Sequence, residues 1–499
     1  MSPRGSLLVA GAAVCAFALA PPALAAPAQD GLETRHGERH RIPAEFMSYL
    51  GAEWLERAER IEEEQPEQVL DAMGLRPGDV VADIGCGSGY YARRMARRVQ
   101  PGGTVYCEDI QPEMLDIMRG HAAREGIRGI EAVLGTPTDP RLPAGAIDWI
   151  IIADVYHEMS DPEPMLAGIR RALAPGGRVA LLEYRVEDGT GDQIKADHTM
   201  SVRQVLAEWR AAGFELEALH DFLPAQHLFF LRAAAGGVAA AGRVAANGGG
   251  IAAGAATADG DGGSAPAAGA TAAGGGTSSP RPPSLADHDL LAALDAGLVE
   301  AEAVGAGAAA VTVRIRRTGD APIVVTSPVG THFAAGGGAR DMIARRDGWI
   351  VLDDGTWRDW TLRSVGRRPD RPAPAPGSPL RIQPPSTAPH LEALLYAIQV
   401  GTYTVADSPI LYPPRTQVVE EAAVWIADGD HDYATLAPDI AGPRIPAQYA
   451  AAFALVFLDE AGIDVRSRRI WQDRREVFEV LRDRGLNFWY QVKTMRSRR

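Results

Sequence analysis

The sequence predicts an α/β fold with a mostly parallel sheet over residues 45–233, followed after a linker by a separate β-rich and helical half. Three observations carry this. Strand and helix patterns alternate from residue 78 to residue 212. The apolar strand in VVADIGCGSGYYA runs into a tight glycine-rich turn and then a helix, and FELEALHDF and QHLFFLRA close the series as two strands joined by a Leu-Pro-Ala turn. Parallel neighbours need right-handed crossovers, usually helical, and a closing hairpin requires one antiparallel strand.

The elements follow in order. Arg4, the apolar run LLVAGAAVCAFALA and Ala23-Leu24-Ala25 have the layout of a signal peptide over residues 1–25, so the chain is expected to be exported, periplasmic or secreted, and cytoplasmic if the leader is not processed. Trp54 to Met73 carries apolar residues at helical spacing, with a break or fresh start at Pro66. Strands are predicted at 78–84, 103–109, 130–134, 147–153 and 178–185, and helices at 89–99, 112–124, 161–173 and 201–212. Asp148 is expected to order the start of its strand. Residues 234–286 are almost entirely Ala, Gly, Ser, Thr and Pro and cannot offset their ordering entropy by burial, so they read as a flexible linker between two independent bodies.

Beyond it, VTVRIRRTG, PIVVTSP, ARDMIARRDG, WIVLDDG and TWRDWTLRSVG are short strands between turns, which suggests a small β-sandwich over 287–368. A Pro-rich connector spans 369–388, and helical segments fall near 389–400, 416–427, 446–461 and 471–484 within a helical region at 389–499. DGDHDY sets Asp428, Asp430 and Asp432 at alternate positions, but without the glycine and closing glutamate of a calcium loop it reads as a solvated turn. No partner for this half can be read from it.

A net charge of −14 and a pI near 5.3 argue against nucleic-acid and acidic-membrane partners. No later apolar run is long enough for stable membrane insertion after signal removal. Outside the leader only Cys86 and Cys107 remain, read as two unpaired small residues, with one disulfide between adjacent strand ends as the alternative. No Cys/His spacing suggests a metal site.

The glycine turn narrows the function. A dinucleotide fingerprint G-x-G-x-x-G would need glycine where Tyr90 stands; the chain instead has G-x-G-x-G at Gly85, Gly87 and Gly89, with Asp83 two residues ahead. This turn, GTVYCEDIQPEML, DVYHE and LAPGGRVALLEYR together resemble the class I S-adenosylmethionine-dependent methyltransferases. The resemblance covers about residues 45–233 and implies a Rossmann-like, seven-stranded sheet with a final antiparallel hairpin, S-adenosylmethionine as cofactor, and a small-molecule acceptor. It implies that Asp83 with Gly85, Cys86, Gly87 and Gly89 holds the methionine end and that Asp109 accepts the ribose hydroxyls, Glu108 being a solvated strand end. Thr136, with Pro137 and Thr138, stands where many relatives have an acid for adenine.

Asp154, Tyr156 and His157 end a strand at the carboxyl edge of the sheet, where ligand crevices form. Asp154 is assigned to the donor and Tyr156 and His157 to catalysis. His157 is read as a general base or as a structural histidine bonded to a loop. Glu183 ends the fifth strand on the substrate side, and His198 and His227 are secondary candidates. The alternative reading is an exported binding or surface-interaction protein using the methyltransferase fold as a non-catalytic scaffold, motivated by a donor made in the cytoplasm and a leader that points outside.

Overall fold

The computed structural model describes residues 43–190, 194–234, 285–386, 388–400, 413–440 and 446–482. The expected signal peptide, nearly all of the expected linker and the end of the helical region lie outside the described residues.

The first sheet contains β1 (Val80–Ile84), β2 (Thr104–Asp109), β3 (Ile130–Leu134), β4 (Ile147–Ala153), β5 (Leu173–Arg185), β6 (Thr199–Met200), β7 (Phe214–His220) and β8 (Gln226–Ala233). Its order is β3-β2-β1-β4-β5-β8-β7, with β6 paired to β5. The pairs among β1 to β5 are parallel, and β8 is antiparallel to both neighbours, as the closing hairpin requires. Strand order reverses between β1 and β4, which opens a crevice at their carboxyl ends. β4 reads IDWIIIA because helices cover both of its faces, and a strand buried on both sides loses the polar alternation of a half-exposed one. Asp148 accepts a hydrogen bond from the Val80 N–H (2.9 Å), which orders the entry to β1 and β4 as expected.

Six helices serve this sheet: α1 (Arg60–Glu64), α2 (Pro66–Met73), α3 (Tyr90–Val99), α4 (Pro112–Arg124), α5 (Pro162–Ala172) and α6 (Val202–Ala211). The helix expected from Trp54 to Met73 is broken at Gln65, whose φ of 45° is left-handed immediately before Pro66. Proline disfavours the helical basin for the residue ahead of it, and a 3-10 turn at Tyr49–Glu56 precedes α1. One apolar core contains Leu70, Tyr91, Met95 and Met118 on the α2–α4 face. A second contains Met165, Ile169, Leu206 and Trp209 on the α5–α6 face.

The distal half is built from β9 (Ala286–Asp289), α7 (Leu290–Asp295), β10 (Val299–Gly305), β11 (Ala310–Arg317), β12 (Ile323–Ser327), β13 (His332–Ala335), β14 (Met342–Ala344), β15 (Gly348–Leu352), β16 (Arg358–Gly366) and β17 (Pro379–Gln383). The expected β-sandwich takes the form of a closed barrel, β10-β11-β16-β14-β13-β17, beside a three-stranded sheet, β15-β12-β9. Its closing strands are those the pattern did not offer. β10 reads VEAEAVG, with two glutamates, and β17 lies inside the Pro-rich connector, where Pro379 is tolerated as the first strand residue. Helices α8 (Pro389–Val400), α9 (Pro413–Asp428), α10 (Tyr433–Ile440), α11 (Ala447–Glu460) and α12 (Arg474–Arg482) follow. The acids of DGDHDY are held by arginines, Asp428 by Arg367 and both Asp430 and Asp432 by Arg469. No helix among the described residues is long and apolar enough to cross a membrane.

The halves are packed together rather than independent. Leu285 N–H donates to the Leu216 carbonyl (2.8 Å), Arg210 pairs with Asp287, and Val324 joins the α5–α6 core. The Ser201 hydroxyl donates to Asp347 (2.7 Å), and the rings of His227 and Trp349 meet at 5.1 Å.

Candidate active site

The site lies at the carboxyl ends of β1, β2 and β4. β1 delivers Asp83, which is buried and accepts the Ala92 N–H at 2.9 Å, so that it holds the first turn of α3 against the strand. Burial pushes its carboxyl up to about 7, against the pull of the Ala92 N–H and of Arg60. At Gly85 (φ 66°) a Cβ would fall 2.5 Å from Val155, and at Gly89 (φ 80°) it would fall 2.4 Å from Met118. Any side chain there would therefore block the approach of the β4 loop or of α4.

β2 brings two carboxylates. Asp109 accepts the N–H groups of Gly87 (2.9 Å) and Gln111 (2.8 Å), which pins the glycine turn and the start of α4 to one side chain. Burial raises its pKa. Glu108 is not the solvated strand end expected: it is 1 % exposed, its Oε2 faces the Gly85 N–H at 3.3 Å, and its Oε1 is buried without a hydrogen-bond partner among the described residues. Burial lifts Glu108 to about 8, helped by the charge of Asp109.

The cysteines are corrected as well. Cys86 and Cys107, expected unpaired, are joined by a disulfide (Cα–Cα 5.5 Å). Cys107 lies opposite Asp83 in the β1–β2 register, and the bond ties the glycine turn to the neighbouring strand. The Cys86 side chain is therefore structural, and its backbone N–H donates to the Glu108 carbonyl (2.9 Å).

From β4, Asp154 takes a left-handed φ of 55°; its Oδ2 accepts from Gln226 (2.6 Å), and its Oδ1 is buried with no partner among the described residues. Burial and the charges of Glu64 and Glu183 hold it well above the usual carboxylate range. Thr136 turns into its own loop, donating from its hydroxyl to the Asp139 carbonyl (3.3 Å) and accepting the Asp139 N–H (2.9 Å).

Tyr156 does not reach the crevice. It is fully buried against Trp209 on the α6 face, and its hydroxyl donates to Glu208 at 2.6 Å, which corrects its expected catalytic placement. A loop position alone cannot tell which side of the sheet a ring will choose. His157 is buried with its Nδ1 2.6 Å from Glu183 Oε2, so a carboxylate holds its ring. Next to it, burial together with the Glu183 charge pushes Glu158 up to about 8, although the Met47 N–H holds it partly down. His198 Nδ1 meets Asp197 at 2.6 Å, and its ring lies 5.0 Å from that of His157. His227 is on Glu187 (2.9 Å) in the core between the halves.

Residues missed by the sequence reading cover this crevice. Arg60 and Glu64 form a buried pair (2.6 Å), with the Arg60 guanidinium 4.0 Å from the Tyr90 ring centre and electrostatically felt at Asp83 and Asp154. Gln111 fastens the segment above by donating to the Met47 carbonyl and accepting the Tyr49 N–H, both at 2.9 Å, while Ser88 donates to Glu56 (2.5 Å). The signal available for Arg60 was its helical register in ERAERIEEE, which places it four residues before Glu64.

Residues 81–177 match the family model described as "Methyltransferase domain". A nocamycin O-methyltransferase from Saccharothrix syringae is 35 % identical over 114 residues, 23 % of this chain and 41 % of that protein. A ubiquinone/menaquinone biosynthesis C-methyltransferase from Cupriavidus taiwanensis is 34 % identical over 22 % of this chain and 45 % of its own length. The chain thus spans less than half the length of these curated relatives. The uncharacterized methyltransferase YdaC of Bacillus subtilis is 29 % identical over 29 % of this chain and 77 % of its own. A crystal structure of a SAM-dependent methyltransferase from Aquifex aeolicus is similar at 24 % identity, covering 37 % of this chain and 98 % of that one with a TM-score of 0.35. Residues 81–177 thus match a methyltransferase domain, and the N-terminal half of the chain is similar to methyltransferases, a likeness that supports S-adenosylmethionine as the cofactor; the distal barrel and helical module follow it.

Proposed function

We propose that the protein is an exported methyltransferase that transfers a methyl group in line from S-adenosylmethionine to a small-molecule acceptor. The observation that carries this is a ring of buried carboxylates around the glycine turn. Asp83, Glu108 and Asp109 are 3 %, 1 % and 6 % exposed, and Asp154 stands with them, all held above their ordinary pKa by burial. Such a cluster favours a cationic ligand, since a positive charge restores the ionised form that burial disfavours. S-adenosylmethionine supplies a methyl group on a sulfonium centre, which an acceptor lone pair displaces.

In this reading the Asp109 carboxylate receives the ribose hydroxyls, and Asp83 faces the ammonium side through the turn it holds. Arg60 offers the donor's carboxylate a cation. The segment fastened by Gln111 and Glu56 excludes water, the chief demand of a displacement that disperses charge. His157, oriented by Glu183, stands on the acceptor side. Export is supported by the leader pattern and by the Cys86–Cys107 bond, since disulfides persist mainly in oxidising compartments.

The withdrawal of Tyr156 favours one second reading, an exported binding protein that keeps the donor site without turnover. Calorimetry of the full chain with S-adenosylhomocysteine tests the donor site; Asp109→Ala is expected to weaken binding at least tenfold, and undiminished binding would refute the assignment. Release of S-adenosylhomocysteine from bound donor, on offering hydroxyl, amine and thiol acceptors, separates the two readings. Fractionation with and without the leader tests the address.

A further inference from the structure

We propose that His157, Glu158 and His198 form a binding site for a divalent transition-metal ion of the zinc class on the acceptor side of the crevice. One ligand atom from each lies within 4.8 Å of the other two. Ligand atoms around a tetrahedral zinc stand roughly 3.4 Å apart, so bringing them from within 4.8 Å of one another to that spacing, a closure of at most about 1.4 Å, seats the ion.

What lies behind these residues is also built for a metal. His157 Nδ1 is on Glu183 and His198 Nδ1 is on Asp197, each at 2.6 Å. With Nδ1 engaged by a carboxylate, Nε2 is the atom each ring gives to an ion; a carboxylate behind the imidazole fixes the ring and raises its basicity. Glu158 is steadied by the Met47 N–H. Two imidazoles and a carboxylate suit zinc, cobalt(II) or iron(II), whereas calcium and magnesium prefer all-oxygen sites.

The backbone brings the three together from distant places. His157 and Glu158 lie in the 3-10 turn that follows β4, and His198 ends the 3-10 turn Ala196–His198 that leads directly into β6. β6 is only two residues long, pairing Thr199 with Tyr184 of β5, and that pairing sets His198 beside His157. No local Cys/His spacing announces such a site, because its ligands come together only through the β5–β6 pairing. Three protein ligands leave a position open for a substrate oxygen or nitrogen, so the site deepens the methyltransferase reading by naming a lone-pair acceptor that a metal can hold.

The test uses the full chain, stripped with a chelator and kept without methyl donor, so its failure is separate from failure of donor binding. Zn2+ is titrated by calorimetry, and Co2+ is followed by its visible absorption. Wild type is expected to bind an equivalent that both His198→Ala and Glu158→Gln lose, and Asp197→Asn is expected to weaken it about 10- to 100-fold. Metal-free melting of each variant, matched to metal-free wild type, shows that the loss is not unfolding. No binding by wild type, or unchanged stoichiometry and Co2+ spectrum in both ligand variants, would overturn the site.

Discussion

At the scale of single residues, the carboxylates of the glycine turn set a pH dependence. Burial holds Asp83 near 7 and Glu108 near 8 in the free protein, so both carry protons at pH 6. A cationic donor favours their charged forms, and its binding releases protons. Affinity for S-adenosylmethionine is therefore expected to rise by on the order of 10- to 100-fold from pH 6 to pH 8 and then level off. Calorimetry in two buffers of different ionisation heat checks the proton release, and a flat profile contradicts it. Stability of the unliganded fold runs the other way: a carboxyl whose folded pKa exceeds its unfolded value destabilises the fold as pH climbs between the two. The placement of Asp83, Asp109 and the three glycines about one turn was legible because a turn after a buried strand admits few residue types. Glu108 and Tyr156 were misplaced because the choice of pocket or core depends on neighbours distant in sequence, Gly135 for the first and Glu208 with Trp209 for the second.

Among the elements, alternation made β1 to β5, β7 and β8 readable, and Pro66 marked the break between α1 and α2. β6, β10, β13 and β17 were not readable, since short or charged strands owe their pairing to partners rather than to their own pattern. The Cys86–Cys107 bond links the β1 turn to β2 across a separation of 21 residues. Opening it by Cys86→Ser with Cys107→Ser is expected to lower stability by about 2–4 kcal/mol. Urea unfolding with and without dithiothreitol checks this: reductant should shift the wild-type midpoint and leave the double variant unmoved.

For the whole molecule, the composition of residues 234–286 suggested two bodies free of each other, yet the segments they join meet across α6 and the β15-β12-β9 sheet. Apolar residues such as Val324 and Trp349 would suit any core, so their sequence could not say whose core they enter. Asp347→Ala removes the hydrogen bond to Ser201 and is expected to cost about 1–3 kcal/mol. Thermal melting should show the N-terminal half losing stability along with the distal one, and an unchanged first transition would refute the coupling. Ser201 also caps α6, accepting the Gln204 N–H, and lies three residues after His198. A ribosome makes the N-terminal half first, so the segment bearing His198 emerges long before residue 347 exists to anchor its end. The anchoring of the segment that bears His198 then waits for the distal half to fold, and a chain truncated before residue 347 would carry a finished glycine turn beside an unanchored His198 segment.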